Sequence, residues 1–365
     1  MPKKINNVFY SKLTFEKILA AHKRAKNQKA YKPEIIKFEL NLENNITNLI
    51  NEIKNNKYRT GKYFTFKIYE PKERYIQALP YKDRIVHQWY VEEFIKPYIV
   101  PKFINTSYAC ITDKGAHKAA EKIQNQMRIF QRNYGNFWIL KCDIKKYFYN
   151  INPLILLNIM KKYFKDKDLI NFTQILLFNG PIKKDAVGIP IGNYTSQFFA
   201  NIYLNELDQY IKRQLKIKNY VRYMDDFILI LETKKECILL KRLIEKFLHE
   251  RLKLELNSKS KYYPAKMGVN FCGYRIFTTH RLLRNSSKKK IKKNIKTFNK
   301  LYHNNMLNIN FAIQSINSWI GHASHCNSFK LQQQRLQQCD FIWNNKAFQN
   351  IENNTLLDII NNQNT

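Results

Sequence analysis

This 365-residue chain is short of acid and of glycine, and both shortages carry information. Aspartate and glutamate number 28 against 63 lysines and arginines, a formal net charge of +35. Such a balance excludes an acidic, self-solvating chain and fits a polyanionic partner, although a chain so rich in Lys, Asn and Ile owes part of it to composition. Only nine glycines are present, so two that fall close together draw notice. The six cysteines, at 110, 142, 237, 272, 326 and 339, show no C-x-x-C pairing and read as reduced core or surface thiols. His322, His325, Cys326 and Cys339 can be drawn together as a zinc site on paper. Their spacing fits no common pattern, and packing between helices is the better reading. No secretory h-region and no run of roughly 18 apolar residues is visible. The expectation is a cytoplasmic protein with no membrane partner. A hydrophobic content of 44% is enough for a sizeable core.

Where acids are scarce, two in a row stand out. Asp225 and Asp226 sit inside Asn219-Tyr-Val-Arg-Tyr-Met-Asp-Asp-Phe-Ile-Leu-Ile-Leu231, between two apolar, aromatic-rich runs. The pattern predicts a β-hairpin with two carboxylates at its tip. Like charges at a tight turn stabilise nothing alone, so either the turn is solvated or a divalent cation sits between them and a third acid. Asp143 is the candidate third acid. It ends the apolar run Phe137-Trp-Ile-Leu-Lys-Cys-Asp143, and Ile144-Lys-Lys-Tyr-Phe-Tyr-Asn-Ile151 then turns toward helical spacing. That order predicts a carboxylate at the sheet edge, beside the hairpin tip. Oxygen ligands of this kind suit Mg²⁺, and a pair of ions roughly 3.5–4 Å apart is the clamp used in phosphoryl displacement.

Between the acids lies Gly188-Ile-Pro-Ile-Gly-Asn-Tyr-Thr-Ser-Gln-Phe-Phe-Ala-Asn-Ile-Tyr-Leu204. Two of the nine glycines fall here, just before Ala200, Tyr203, Leu204, Leu207 and Ile211 take up helical spacing. The segment is either a plain Gly-Pro turn entering a core helix or a turn that approaches a ligand closely.

In this order the motifs resemble motifs A, B and C of the reverse transcriptases. The resemblance extends to Leu252-Lys-Leu-Glu-Leu-Asn-Ser-Lys-Ser260 as motif D, and to Val269-Asn-Phe-Cys-Gly-Tyr-Arg-Ile276 as the primer grip. Upstream, Glu70-Pro-Lys-Glu-Arg74 through Gln88, Ser107-Tyr-Ala-Cys110 and Lys114-Gly-Ala-His117 resemble the fingers motifs. The likeness covers about residues 60–330. It implies an α+β right-hand polymerase fold, with fingers, a palm carrying an antiparallel sheet, and a helical thumb. It further implies that Asp143, Asp225 and Asp226 are the catalytic carboxylates. They would hold two Mg²⁺ ions, with Mn²⁺ as a substitute, and the carbonyl of Ile144 would join them. Phe148 stands where the family keeps a steric gate against a ribose 2′-OH. Lys72 and Arg74 would cradle the triphosphate of a dNTP, Lys259 would sit near the leaving pyrophosphate, and Ile191, Gly192 and Gln197 would border the nucleotide. Tyr223, Cys272, Gly273 and Tyr274 would meet primer and template, as would Lys288, Lys289, Lys290, Lys292 and Lys293 of a basic run after the grip. That run is otherwise a solvated helix face.

Motif B departs from the group II intron pattern of Gln-Gly followed by Ser-Pro. Ile191-Gly192 and Ser196-Gln197 look like the enzymes of diversity-generating retroelements, as does Ser318-Trp-Ile-Gly-His322 with His325. Defence-associated reverse transcriptases come next. The resemblance implies an RNA-directed DNA polymerase that copies a dedicated template RNA into cDNA with low fidelity, its partners being that RNA, the primer strand, dNTPs and a small basic accessory protein oligomer. The alternatives are an antiphage enzyme using a noncoding RNA template, and a catalytically silent RNA-binding scaffold. The expected organisation is an N-terminal helical extension over 1–60, fingers and palm over 61–275, and thumb with a polar tail over 276–365. The tail from Asn344 is polar enough to fray.

Overall fold

The computed structural model describes residues 4–69, 73–179 and 185–343. They fall into two compact units. The first comprises the described residues up to 115, with 140–229 and 235–262, and the second comprises 116–139, 230–234 and 263 onward.

The first unit opens with three helices, α1 (Phe15–Lys26), α2 (Pro33–Glu39) and α3 (Leu42–Lys54). Thr14 caps α1 by accepting the Lys17 amide, and Ile46, Leu49, Ile50 and Ile53 give α3 its buried stripe at three- and four-residue spacing. A two-stranded hairpin follows, β1 (Phe64–Ile68) against β2 (Arg74–Ala78), antiparallel with Phe64 opposite Ala78. Next, α4 (Tyr81–Tyr90) passes through a π-helical turn into the short α5 (Lys96–Tyr98), and α1 packs along α4. The long α6 (Ala116–Tyr134) belongs to the second unit. The chain continues with β3 (Trp138–Cys142), in which the first unit resumes at Leu140, then the single turn α7 (Tyr147–Asn150), α8 (Pro153–Tyr163) and α9 (Lys167–Phe178). Asn152 and Asp166 cap α8 and α9. Then come α10 (Tyr194–Gln209), β4 (Tyr220–Tyr223), β5 (Asp226–Leu231), α11 (Lys234–Phe247) and β6 (Lys261–Pro264).

The central sheet runs in the order β4-β5-β3-β6. β5 and β3 are its inner strands, which is why β5 reads as a continuous apolar run rather than an alternating one: Phe227 through Leu231 are all buried. Asp143 follows the end of the inner strand β3, and the neighbouring strand β5 begins at Asp226. Twelve of the sixteen residues of α10 are buried, so that helix is enclosed nearly all round, and its polar members Asn201, Asn205 and Asp208 need partners.

In the second unit, β7 (Val269–Phe271), β8 (Tyr274–Ile276) and β9 (Arg281–Leu283) form a three-stranded antiparallel sheet. Four helices follow: α12 (Asn285–His303), α13 (Ile309–Ala323), α14 (Phe329–Leu336) and α15 (Asp340–Trp343). Ile291, Ile295 and Phe298 pack on Ala312, Ile316 and Ile320, so α12 turns its apolar stripe inward and leaves its lysines outside. The polar tail lies outside the described residues. No described helix is long and apolar enough to cross a membrane.

Candidate active site

Tyr223 pairs with Asp226 across the β4–β5 hairpin, so Met224 and Asp225 form a two-residue turn. Met224 adopts φ +55°, a left-handed conformation that costs a side-chain-bearing residue about 1–2 kcal/mol. The turn is held from below. Arg222 is fully buried and donates from Nη1 to the Met224 carbonyl oxygen at 2.9 Å. The same nitrogen reaches Asn201 Oδ1, also at 2.9 Å, while Nε and Nη2 donate to the two oxygens of Asp208 at 2.8 and 2.6 Å. Tyr220 donates its hydroxyl to Asp208 at 2.7 Å. Two polar residues of α10 thus fix an arginine whose remaining donor fixes the hairpin tip.

Asp143 is gripped by the segment between α11 and β6. Its amide donates to Ser260 Oγ at 3.0 Å, its carbonyl accepts the Asn257 amide at 2.7 Å, and its Oδ2 accepts Asn257 Nδ2 at 3.0 Å. Ile144 bridges Leu256 between two backbone hydrogen bonds made by its neighbours, which turns its own carbonyl away from that strand. Arg74, exposed at the start of β2, is close enough to act on Asp225 electrostatically.

The charges at the tip are in conflict. Burial raises the Asp225 carboxyl to about 6, and the Asp143 charge adds to the rise, with a smaller part from Asp226. A backbone hydrogen bond and Arg74 oppose the shift without cancelling it. Asp226 is placed differently. Lys141, two residues before Asp143 on β3, donates its ammonium to both oxygens of Asp226 at 2.8 and 2.7 Å. Among the described residues no three His, Cys, Asp or Glu side chains are grouped so as to hold a metal ion. Two carboxylates that repel each other in a half-buried setting, with a backbone carbonyl beside them, remain a donor set suited to a hard divalent cation.

The remaining expected residues are distributed as follows. Phe148 is half-buried on α7, its ring edge-on to Tyr147, and its carbonyl accepts the Ile189 amide at 2.9 Å. The Ile191 carbonyl accepts the Gln77 amide at 2.8 Å, and Gly192 adopts φ +123°. A Cβ there would meet Ile76 at 3.0 Å and the Gln77 carbonyl oxygen at 3.1 Å. The close approach that requires glycine is therefore to β2. Gln197 is exposed and accepts from Cys110 Sγ at 3.4 Å, and Lys259 is exposed. Lys72 lies outside the described residues.

Within the second unit, Cys272 and Gly273 form the two-residue β7–β8 turn with φ +47° and +89°, as a tight hairpin of this hand requires. Tyr274 is buried, and its hydroxyl meets His117 Nδ1 at 2.8 Å and donates to the His322 carbonyl oxygen at 2.9 Å. This accounts for part of the His-Cys group as packing. Lys289, Lys290, Lys292 and Lys293 are exposed on α12, and Lys288 is half-buried.

Sequence reasoning missed Lys141, Asp208, Arg222, Asn257 and Ser260. Arg222 was inside the quoted hairpin motif, and a lone arginine in an apolar strand was a signal that it needed a buried acid.

Residues 67–276 match the family model described as "Reverse transcriptase (RNA-dependent DNA polymerase)". The chain is 25% identical over 233 residues to protein YkfC of Escherichia coli, covering 53% of this chain and 61% of that protein. It is 24% identical over 245 residues to the group II intron-encoded protein LtrA of Lactococcus lactis, covering 48% of this chain and 40% of that one. A telomerase structure from Candida albicans, solved with a fragment of telomeric RNA, aligns with a TM-score of 0.46 and 12% identity, over 84% of this chain and 63% of that one. In each case the chain spans less than two thirds of the relative's own length.

Proposed function

Because the chain belongs to the reverse transcriptase (RNA-dependent DNA polymerase) family, its matched segment being more than half its length, we propose that it is an RNA-directed DNA polymerase. The observation that supports this reading best is the Asp143–Asp225 pair, two mutually repelling carboxylates, one just after β3 and one at the hairpin tip, each site held by dedicated partners. Asp143 and Asp225 with the Ile144 carbonyl would hold Mg²⁺, with Mn²⁺ as a substitute. When bound, paired divalent ions stabilise charge on the attacking and leaving oxygens of an in-line displacement. The primer 3′-OH attacks the α-phosphate of a dNTP, the new phosphodiester forms, and pyrophosphate leaves. Arg74 offers planar, bidentate donors to the triphosphate, with Lys72 and Lys259 as further cations. Phe148 serves as the gate against ribonucleotides. The strand partners are a template RNA and a primer meeting Tyr223, the Cys272–Tyr274 turn and the α12 lysines.

The finer reading is an error-prone enzyme of the diversity-generating type, copying a dedicated RNA with the help of a small basic protein. It rests on Ile191, an aliphatic side chain beside Gly192 that offers no hydrogen bond to a nascent base pair. A defence enzyme with a noncoding RNA template is the second reading, and neighbouring genes separate the two. The core test is primer extension on an RNA template with Mg²⁺. Asp225→Asn should reduce incorporation to background while RNA binding persists, and near-wild-type extension would overturn the chemistry. In the same assay Phe148→Ala should accept rNTPs far more readily. An unmoved rNTP-to-dNTP ratio would make Phe148 a packing residue only.

A further inference from the structure

At the far end of α10 from the Ile191–Gly192 turn, a cavity of about 700 Å³ opens between α8, α10 and α11. The length of α10 sets it roughly 20 Å from that turn, at 1.5 Å per residue. Its size is that of a small-molecule pocket, about 300–1,000 Å³. Two π-helical turns border it, Tyr210–Gln214 after α10 and Leu248–Leu252 after α11. Such turns widen a helix locally and gather at functional sites.

The lining has the chemistry of a nucleotide. Tyr210 and Phe247 stack at 4.3 Å and 13° and present an aromatic ledge, half-buried and still open to the cavity. Gln209 donates its amide nitrogen to the Lys102 carbonyl oxygen and to Asn205, which leaves Oε1 buried with no donor. At the rim, Arg213 and Arg251 are exposed and, among the described residues, carry no ion pair or hydrogen bond. The acids present are already matched: Glu206 by Lys162 and Glu250 by Lys246. An aromatic face and two unpaired guanidinium groups correspond to base and phosphate.

We propose that this cavity binds a nucleoside monophosphate unit, its base on the Tyr210–Phe247 ledge and its phosphate on Arg213 and Arg251. The unit is a nucleotide of a single-stranded RNA segment, or the same chemistry supplied as a free nucleotide. The strand form rests on the polymerase reading, since a template RNA must be retained while its copied part moves. The site is separate from the three aspartates.

The test uses the full chain. A fluorescent single-stranded RNA 12-mer and the four free 5′-nucleoside monophosphates are titrated into the wild type, into Arg213→Gln/Arg251→Gln, and into Lys235→Gln/Lys253→Gln as a charge-matched control. Photocrosslinking of the 12-mer carrying 4-thiouridine is mapped by peptide. The expected result is about ten-fold or greater weakening in the arginine variant relative to the lysine control, with crosslinks on Tyr210 or Phe247. Sensitivity of the 12-mer alone identifies a strand segment, and equal sensitivity of a monophosphate identifies a free nucleotide. Equal affinity of both variants, or crosslinks confined to other elements, would overturn the proposal. Extension of a supplied template–primer is measured in parallel. If extension is present but the arginine variant binds as the control does, the cavity reading fails alone. If extension is absent while the arginine effect holds, the polymerase reading fails alone.

Discussion

At the scale of single residues, the site works against its own stability. Asp225 is raised from its ordinary value to about 6 by burial and by Asp143, so the folded state holds a proton that the unfolded chain releases. The contribution of this group is complete below about pH 4. It declines as pH rises through the interval from about 4 to 6, and above that the folded state carries a penalty of about 2–3 kcal/mol. Asp225→Asn should therefore be more stable than wild type by about 1–3 kcal/mol at pH 7.5 and equal to it near pH 4, measured by urea unfolding. Equal stability at both pH values would mean the carboxylate is solvated. Mg²⁺ should narrow the gap by stabilising the wild type alone. Ile191 carries the other residue-scale prediction. Losing one hydrogen-bonding contact to a base pair is worth on the order of 1–3 kcal/mol of discrimination, roughly 10–200-fold. Ile191→Gln should raise accuracy in sequenced cDNA, with wild-type errors concentrated at template adenines. If the Ile191 side chain only packs the turn, whose backbone is tied to Gln77, fidelity will be ordinary and unchanged.

At the scale of elements, the hairpin tip depends on α10. Arg222 and Asp208 are both fully buried, and the arginine spends one donor on the Met224 carbonyl. Arg222→Met should cost about 3–5 kcal/mol, because Asp208 is left charged and buried with, among the described residues, only Tyr220 as partner. Arg222→Met combined with Asp208→Leu should recover part of that stability but not the polymerase rate, since the turn has lost its anchor. Full recovery of rate would show that the Met224 contact is incidental. The hairpin itself was legible in sequence, because apolar runs around an acidic pair state their own geometry. So was the Cys272–Gly273 turn region as part of a named motif. The partners of the tip were not. Asn257 and Ser260 lie more than a hundred residues from Asp143 in sequence, and nothing in their local pattern says which carboxylate they hold. Gly192 was legible as a backbone demand but not in its target, which is the neighbouring strand β2.

At the scale of the whole molecule, the question is what the +35 charge is for. One part is composition: lysine recurs along the chain, in α1, α3, α6 and α11 as well as α12, and a chain so charged repels itself. Another part is local, as on α12, where Ile291, Ile295 and Phe298 turn inward and leave Lys289, Lys290, Lys292 and Lys293 facing out. Salt separates the two. Diffuse repulsion is screened within a Debye length of about 10 Å at 0.1 M, so raising NaCl should raise Tm in the free protein. Phosphate contacts behave oppositely, since each one releases counterions and its loss is visible in the slope of log K against log salt. Replacing Lys288, Lys289, Lys290, Lys292 and Lys293 by Gln should flatten that slope for a template–primer duplex by roughly 0.7–0.9 for each contact removed. The same variant should gain rather than lose Tm at low salt, because it sheds five like charges. A parallel slope with weaker binding would mean these lysines act through the general field of the protein. A slope and affinity both unchanged would make them a solvated face, with the strand held elsewhere.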